Sequence, residues 1–305
     1  MTGTALLALM AAGCALGAHL LTRARWTWRT PRTAIVLWQA LGLAWGLASI
    51  GTLLGFGVAP YGQGIVVGVA RFFEHPRVLS AVRLAAVGAG LLLTLVLVGV
   101  LLVAIAGVVR ARRRHRALLA LVAHGDPEVP GTLVLDHPVA AAYCVPGVRS
   151  QVVVSAGTLA LLGPYELAAV LAHERAHARE RHDLVLLPFA SLRRILPQSR
   201  IVARTLDAVE LLIEMAADDR ARRQRPAKEL ATALLRFASA GSAPTPAGTL
   251  GVSSDVIGDE TTNPILVRVR RLLTPAPLPG PMRGAMLAGA TLVAVVPLIL
   301  YAVPG

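Results

Sequence analysis

Residues 4–21, 33–59, 84–109 and 285–303 contain no Asp, Glu, Lys or Arg. Each run approaches or exceeds the roughly 20 residues that a helix needs to cross a bilayer. In hydrocarbon a segment must satisfy its own backbone polar groups, so such runs are restricted to spanning helices. The hydrophobic fraction of 55% and mean hydropathy of +0.64 agree, since both exceed what a soluble domain shows. The first run lacks a preceding basic region and is followed by arginines instead of a small-residue cleavage site, so it is expected to be a retained span and not a signal peptide.

The formal charge is +13, and Lys228 is the only lysine. That arginine bias, with abundant Ala and Gly, fits a GC-rich bacterial genome. Basicity of this degree suits nucleic-acid binding or the orientation of membrane spans, and placement separates the two. Arg23, Arg25, Arg29 and Arg32 lie between the first two runs, and Arg110, Arg112, Arg113, Arg114 and Arg116 follow the third. The positive-inside rule makes both clusters cytoplasmic. The expected protein is therefore multi-pass in a bacterial plasma membrane, with the bilayer as a partner and no direct nucleic acid. Its N-terminus and residues 60–80 are outside, and a short tail follows the last span. The expected divisions are 1–110 with three spans, a cytosolic domain at 111–283, and the fourth span with its tail at 284–305.

The polar chemistry is concentrated in that cytosolic part, because Glu74 is the only acidic residue before Asp126. Residues 131–162 read as short strands broken by Pro138, Pro146, Gly147 and Gly157. A helix should start at Pro164, favourable in a first turn, and run through His182 with Leu167, Val170 and Leu171 at helical spacing. Pro188 and Pro197 are expected to interrupt the next segment. A second helical pattern covers 201–223, with Leu206, Val209, Leu212 and Ile213 on its apolar side. Residues 239–255 have loop composition. The basic amphipathic stretch NPILVRVRRLL either lies on the membrane surface or packs Ile265, Leu266 and Val269 against the domain. Cys14 and Cys144 are far apart and imply no disulfide framework. The fold class is thus an α-helical membrane protein with four transmembrane helices and an inserted α+β domain.

That domain carries HERAH. His173 and His177 are four residues apart on a helix, so both imidazoles project from one face, as two ligands of a tetrahedral zinc require. Glu174 adjoins the first and is placed to act as general base in H-E-x-x-H peptidase chemistry. His182, nine residues from His173, points to the opposite side of a continuous helix, so it is expected to orient a ligand or to be solvated. Glu210, Glu214 and Asp218 recur at four-residue spacing on the second helix. Glu214 is the favoured third ligand, with Glu210 its substitute. Asp218 is the acceptor that orients a ligand His through its other ring nitrogen. A solvated acidic face paired with nearby arginines is the competing reading.

HERAH followed on a later helix by EMAAD resembles the gluzincin zinc peptidases. Three spans, a cytosolic H-E-x-x-H domain and a fourth span resemble the BlaR/MecR-type membrane metallopeptidases, which trigger loss of a transcriptional repressor. The resemblance covers nearly the whole chain. It implies an α+β gluzincin-type zinc metallopeptidase domain holding one catalytic Zn2+ on His173, His177 and Glu214, with Glu174 as base and Asp218 behind a ligand. AAYCVPG, residues 141–147, is similar to the N-A-F-x-x-P-G strand of the heat-shock and CAAX-type membrane peptidases. By that likeness Ala142, Tyr143 and Cys144 form a substrate-receiving strand, with Ala141 where the relatives have Asn. Cys144 reads as a zinc switch, a redox sensor or, by preference, a buried small hydrophobe.

The penicillin-binding domain that the best-known sensors carry beyond the fourth span has no counterpart before Gly305, so no β-lactam-acylated serine is expected. The loop after Ser239 is an autocleavage site or a plain linker. The implied function is regulated proteolysis of a protein substrate, a winged-helix transcriptional repressor, with homodimer formation left open. A quality-control metalloprotease of the heat-shock/CAAX type is the alternative. A non-catalytic membrane scaffold is the alternative of another class.

Overall fold

The computed structural model describes residues 2–62, 64–74, 79–126, 130–147, 150–240, 250–251, 263–274 and 276–302. It divides into two compact units, one comprising 1–102, 195–205 and 278–305, and the other 103–194 and 206–277.

The first unit is helical. It contains α1 (Thr2–Leu21), α2 (Pro31–Val58), α3 (Gly64–Glu74), the start of α4 (Ala81–Val122) and α11 (Gly280–Ala302). α1, α2, α4 and α11 are each long and apolar enough to cross a membrane. α2 is the central element, packed by α1 and α11. Leu7, Ala48, Leu54, Val58, Tyr61, Ile65 and Val87 form the unit's main buried cluster. The Tyr301 hydroxyl donates to the Leu47 carbonyl at 2.7 Å and ties α11 to α2. Leu9, Leu16, Leu92 and Leu95 remain exposed on these apolar helices. Within the 60–80 loop the structure differs from expectation, since α3 fills much of it; residues 63 and 75–78 lie outside the described residues.

α4 is 42 residues long, which at 1.5 Å per residue is about 63 Å, roughly twice the hydrocarbon thickness. Helix continues through Arg110–Arg116 instead of ending before them. Its C-terminal part, from Val103 onward, belongs to the second unit.

That second unit is built on a five-stranded sheet. Its strands are β1 (Ala123–Gly125), β2 (Thr132–Leu135), β3 (Ala142–Val145), β4 (Gln151–Ser155) and β5 (Leu250–Gly251), in the order β1-β2-β4-β3-β5. β2 and β4 are parallel, and the other pairs are antiparallel. The helices are α5 (Ala156–Leu161), α6 (Pro164–Glu180), α7 (His182–Ile195), α8 (Arg200–Ala221), α9 (Ala227–Ala240) and α10 (Pro264–Leu273), with the last residue of α7 and the first six of α8 counted in the first unit. One sheet face contributes Val134, Ala142 and Val154 to the main core with Val170, Leu234, Phe237, Ile265, Val269 and Leu272. The other packs Tyr143, Val145 and Val153 against Leu119 of α4. β3 and β4 are therefore covered on both faces, and their apolar runs lack the polar alternation of a half-exposed strand.

α10 decides the open question about NPILVRVRRLL. Ile265 and Val269 are buried in the core cluster with Leu272, whereas Leu266 is exposed. Residues 241–249 and 252–262, which include most of the 239–255 loop, lie outside the described residues; Leu250–Gly251 pair as a strand.

Other expectations change locally. Residues 156–161 form a helix because Ser155 caps it, its hydroxyl accepting the Thr158 N–H at 3.1 Å. The same hydroxyl accepts the Ala141 N–H at 2.9 Å, which anchors the start of β3. A Cβ on Gly157 would collide with the Pro138 carbonyl. Gly157→Ala is therefore expected to destabilise the second unit by about 1–3 kcal/mol, read as a lowered thermal midpoint. Pro188 sits inside α7, which continues through it without the hydrogen bond proline cannot donate. α6 ends at Glu180 and not at His182, because Arg181 adopts the left-handed conformation (φ 52°, ψ 41°) and its N–H bonds to the His177 carbonyl.

Candidate metal centre

α6 begins with Pro164 in its first turn, and Glu166 accepts the Gly163 N–H at 2.9 Å. The helix packs on β3, β4 and α9. Its inward face carries His173, Glu174 and His177, all with 0% exposure. From α8, Glu214 and Asp218, one turn apart, reach these histidines.

Three donor atoms converge. His173 Nε2 and His177 Nε2 are 3.0 Å apart, His173 Nε2 is 3.3 Å from Glu214 Oε2, and His177 Nε2 is 3.4 Å from Glu214 Oε1. A tetrahedral zinc with bonds of 2.0–2.1 Å holds its ligand atoms about 3.3–3.4 Å apart, and each of these nitrogen–nitrogen and nitrogen–oxygen separations is near that spacing, the two histidines each meeting a different oxygen of Glu214. Among the described residues, His173, His177 and Glu214 are the one group of three whose donor atoms lie close enough to share a metal. Two imidazole nitrogens facing each other and a carboxylate suit a borderline-soft divalent ion, and zinc fits this donor set.

The outer atoms of these ligands are also engaged. His173 Nδ1 lies 3.0 Å from Asp218 Oδ1, an ion-pair contact without well-formed hydrogen-bond geometry. Arg268 of α10 reaches both carboxylates: Nε and Nη2 donate to Asp218 at 2.9 and 2.8 Å, and Nη1 lies 2.9 Å from Glu214 Oε2. The guanidinium is 3% exposed. Sequence reasoning missed Arg268. The available signal was its place on the same helical face as Ile265 and Leu272, where a charged side chain is buried and requires a buried partner.

Electrostatics follow from burial and this charge arrangement. Burial pushes Glu174 up to about 8, the Glu214 charge adding to it while the His173 ring and Arg268 oppose it. Both of its oxygens are buried without a well-formed hydrogen bond. Burial works against the charged His173 ring, but Asp218 and Glu214 outweigh it and raise the group to about 9. Burial lowers His177 to about 3, with only Glu214 opposing. Burial disfavours the Glu214 and Asp218 charges too, yet Arg268 and the neighbouring imidazoles hold Glu214 down at about 2 and Asp218 lower still.

The remaining sequence candidates differ in their placement. Glu210 is exposed and outside the cluster. Of the two roles expected for His182, the solvated one is excluded and its direction is corrected: the break at Arg181 folds it back onto His177, where it is 2% exposed. Ala142, Tyr143 and Cys144 lie on β3, but its outer edge is not open, because Tyr143 pairs with Gly251 and Cys144 with Leu250. β5 also lies against α6. The Tyr143 hydroxyl is 3.0 Å from His115 Nε2, and Arg116 donates to the Pro146 carbonyl at 2.8 Å, so α4 holds β3 from the other side. A side chain at Gly147 would collide with Arg116. Cys144 has 0% exposure, and burial first, then the Glu174 and Asp183 charges, push its thiol up to about 12. It packs as a small hydrophobe and stays protonated.

Two helix-borne imidazoles, a carboxylate from a second helix and an adjoining buried carboxylate define a site of the metallopeptidase class. Residues 108–239 match the family model of peptidase family M48, which supports an M48-family metallopeptidase domain. The matched span contains His173, Glu174, His177, Glu214 and Asp218, and ends before Arg268. No curated protein and no solved structure matches the chain.

Proposed function

We propose that the protein is a membrane-anchored zinc endopeptidase of the gluzincin type, with Glu174 as general base. The observation that carries this reading is the convergence of His173, His177 and Glu214, whose donor atoms lie within 4.8 Å of one another, beside the fully buried Glu174 carboxylate. A zinc ion bound there would acidify a water molecule and polarise a peptide carbonyl. Glu174 takes a proton from the attacking water and returns it to the leaving amine nitrogen. Glu214 and both histidines would bind through inward-facing atoms, with Asp218 behind His173 and Arg268 behind Glu214. The endopeptidase part is supported by β5, a mid-chain segment lying antiparallel on β3 and against α6. An edge that accepts the middle of a chain suits substrates cut internally.

We further propose that the site faces the cytoplasm, because Arg110, Arg112, Arg113, Arg114 and Arg116 follow the third span. The substrate is then a cytoplasmic protein, and the order of three spans, peptidase domain and fourth span supports regulated loss of a transcriptional repressor. A second reading, quality control of membrane proteins, rests on the likeness of residues 141–147 to the strand of the heat-shock and CAAX-type membrane peptidases. Proteomics of a deletion strain separates them: one accumulating regulator favours the first, and many accumulating membrane proteins the second.

The metal reading is tested by elemental analysis of the purified chain. One zinc per chain is expected, with proteolysis lost on chelation and restored by zinc. Glu214→Ala should lose both metal and activity; zinc retained at full stoichiometry in that variant would remove Glu214 from the ligand set.

A further inference from the structure

We propose that His182, backed by Glu180, is the positioning residue that selects the metal-binding tautomer of His177. The inference rests on the reading that His173, His177 and Glu214 hold zinc.

It begins with the backbone. Among the described residues, Arg181 is the one non-glycine with positive φ. That conformation costs an L-residue about 1–2 kcal/mol, and such outliers persist where the surrounding structure fixes them. Here the reversal starts α7 at His182 and lays its ring across His177 at a centroid distance of 5.0 Å and an angle of 80°. Asp183, next in the chain, is held by an ion pair with Arg112 of α4, which anchors the first turn of α7.

The nitrogens then fix the protons. His177 Nε2 faces His173 Nε2 and Glu214 at 3.0 and 3.4 Å, so its lone pair must point inward to bind a cation. The ring proton of His177 therefore sits on Nδ1, which is 3.0 Å from His182 Nδ1. His182 Nδ1 must accept it, which places the His182 proton on Nε2, the atom 3.4 Å from Glu180 Oε2. The opposite polarity, with His182 donating, would put the His177 proton on Nε2, where it would block the metal. A carboxylate at the far end favours the first polarity, because it accepts and cannot donate while ionised. Asp218 does the same for His173 directly, at 3.0 Å. The two ligand histidines thus have unlike supports, one a carboxylate and the other an imidazole leading to a carboxylate.

The test uses the full chain in detergent and measures zinc dissociation constants by competition with a chromophoric chelator. His182→Leu fills the space without an acceptor, and His182→Gln supplies a carbonyl oxygen in its place. Loss of such an orienting partner weakens metal binding about 10–100-fold, so His182→Leu should show that loss and His182→Gln should stay within about threefold of wild type. Cobalt loaded in place of zinc should show displaced visible bands in the Leu variant and near-native bands in the Gln variant. Wild-type affinity in His182→Leu, or equal losses in Leu and Gln, overturns the proposal. If His182→Leu does not fold, Glu180→Ala decides, with weakened zinc binding expected and unchanged binding overturning the assignment. Absence of zinc binding by the wild-type chain is a separate result, which overturns the metal site itself.

Discussion

Glu174→Gln is expected to retain one zinc per chain and to cleave substrate about 10²–10⁴-fold more slowly, the range general-base catalysis supplies. The substitution is nearly isosteric and removes only the ability to take up a proton. Glu174 has 0% exposure, and the amide keeps its size and an acceptor oxygen in that space. It does not belong to the donor triangle, which is formed by His173, His177 and Glu214. Metal content and activity should therefore separate in this variant, whereas in His177→Ala and Glu214→Ala they should fall together. Metal analysis paired with the single-turnover cleavage rate is the measurement. Undiminished cleavage by Glu174→Gln would remove this residue as base, and unchanged cellular function would favour the scaffold reading.

Arg268→Met is expected to produce the largest loss of stability, about 3–5 kcal/mol, the usual consequence of removing one partner from a buried ion pair. Asp218 is 1% exposed and Arg268 3% exposed at the side chain, and the guanidinium also touches Glu214. Met fills much of the space but leaves two carboxylates competing for the neighbouring imidazoles. Bound zinc offsets part of this by placing positive charge beside Glu214 and by binding only the folded state. The drop in melting temperature should then be larger with chelator than with zinc. Arg271→Ala on the same helix is the control. Its pair with Asp219, at 2.7 Å, is more open, with side chains 14% and 20% exposed, and pairs near the surface contribute about 1 kcal/mol or less. Equal losses in the two variants would show that Arg268 acts by filling space and not by its charge.

Different parts of the site were legible to different degrees. HERAH is readable because its geometry is local: four-residue spacing puts His173 and His177 together whatever the rest of the fold does. Glu214 and Asp218 are readable for the same reason within α8, although that pattern does not show which carboxylate meets the histidines. Glu210 shares the spacing and lies one turn too early. His182 was expected to orient a ligand or to be solvated, and the structure places it against His177; only its direction was misjudged, because helical extrapolation assumes continuous dihedrals. The reversal occurs at an arginine, a residue with no recognisable preference for positive φ. Arg268 is 50 positions from Asp218, and separation in sequence says nothing about proximity in a folded core.

The strand expected to receive substrate shows the same division. Pro146 and Gly147 mark the end of β3 in sequence, but the pairing of Tyr143 and Cys144 with residues 250–251 depends on contacts distant along the chain.

By itself the sequence determined four apolar helices, since hydrocarbon accepts few other structures, and a two-histidine, one-glutamate face, since helical periodicity is a short-range property. Tertiary structure alone decided which carboxylate closes the donor triangle, which buried cation balances it and which imidazole stands behind His177. Those choices depend on how α6, α7, α8 and α10 pack, and packing is fixed by side-chain shape and burial among residues that sequence order keeps apart.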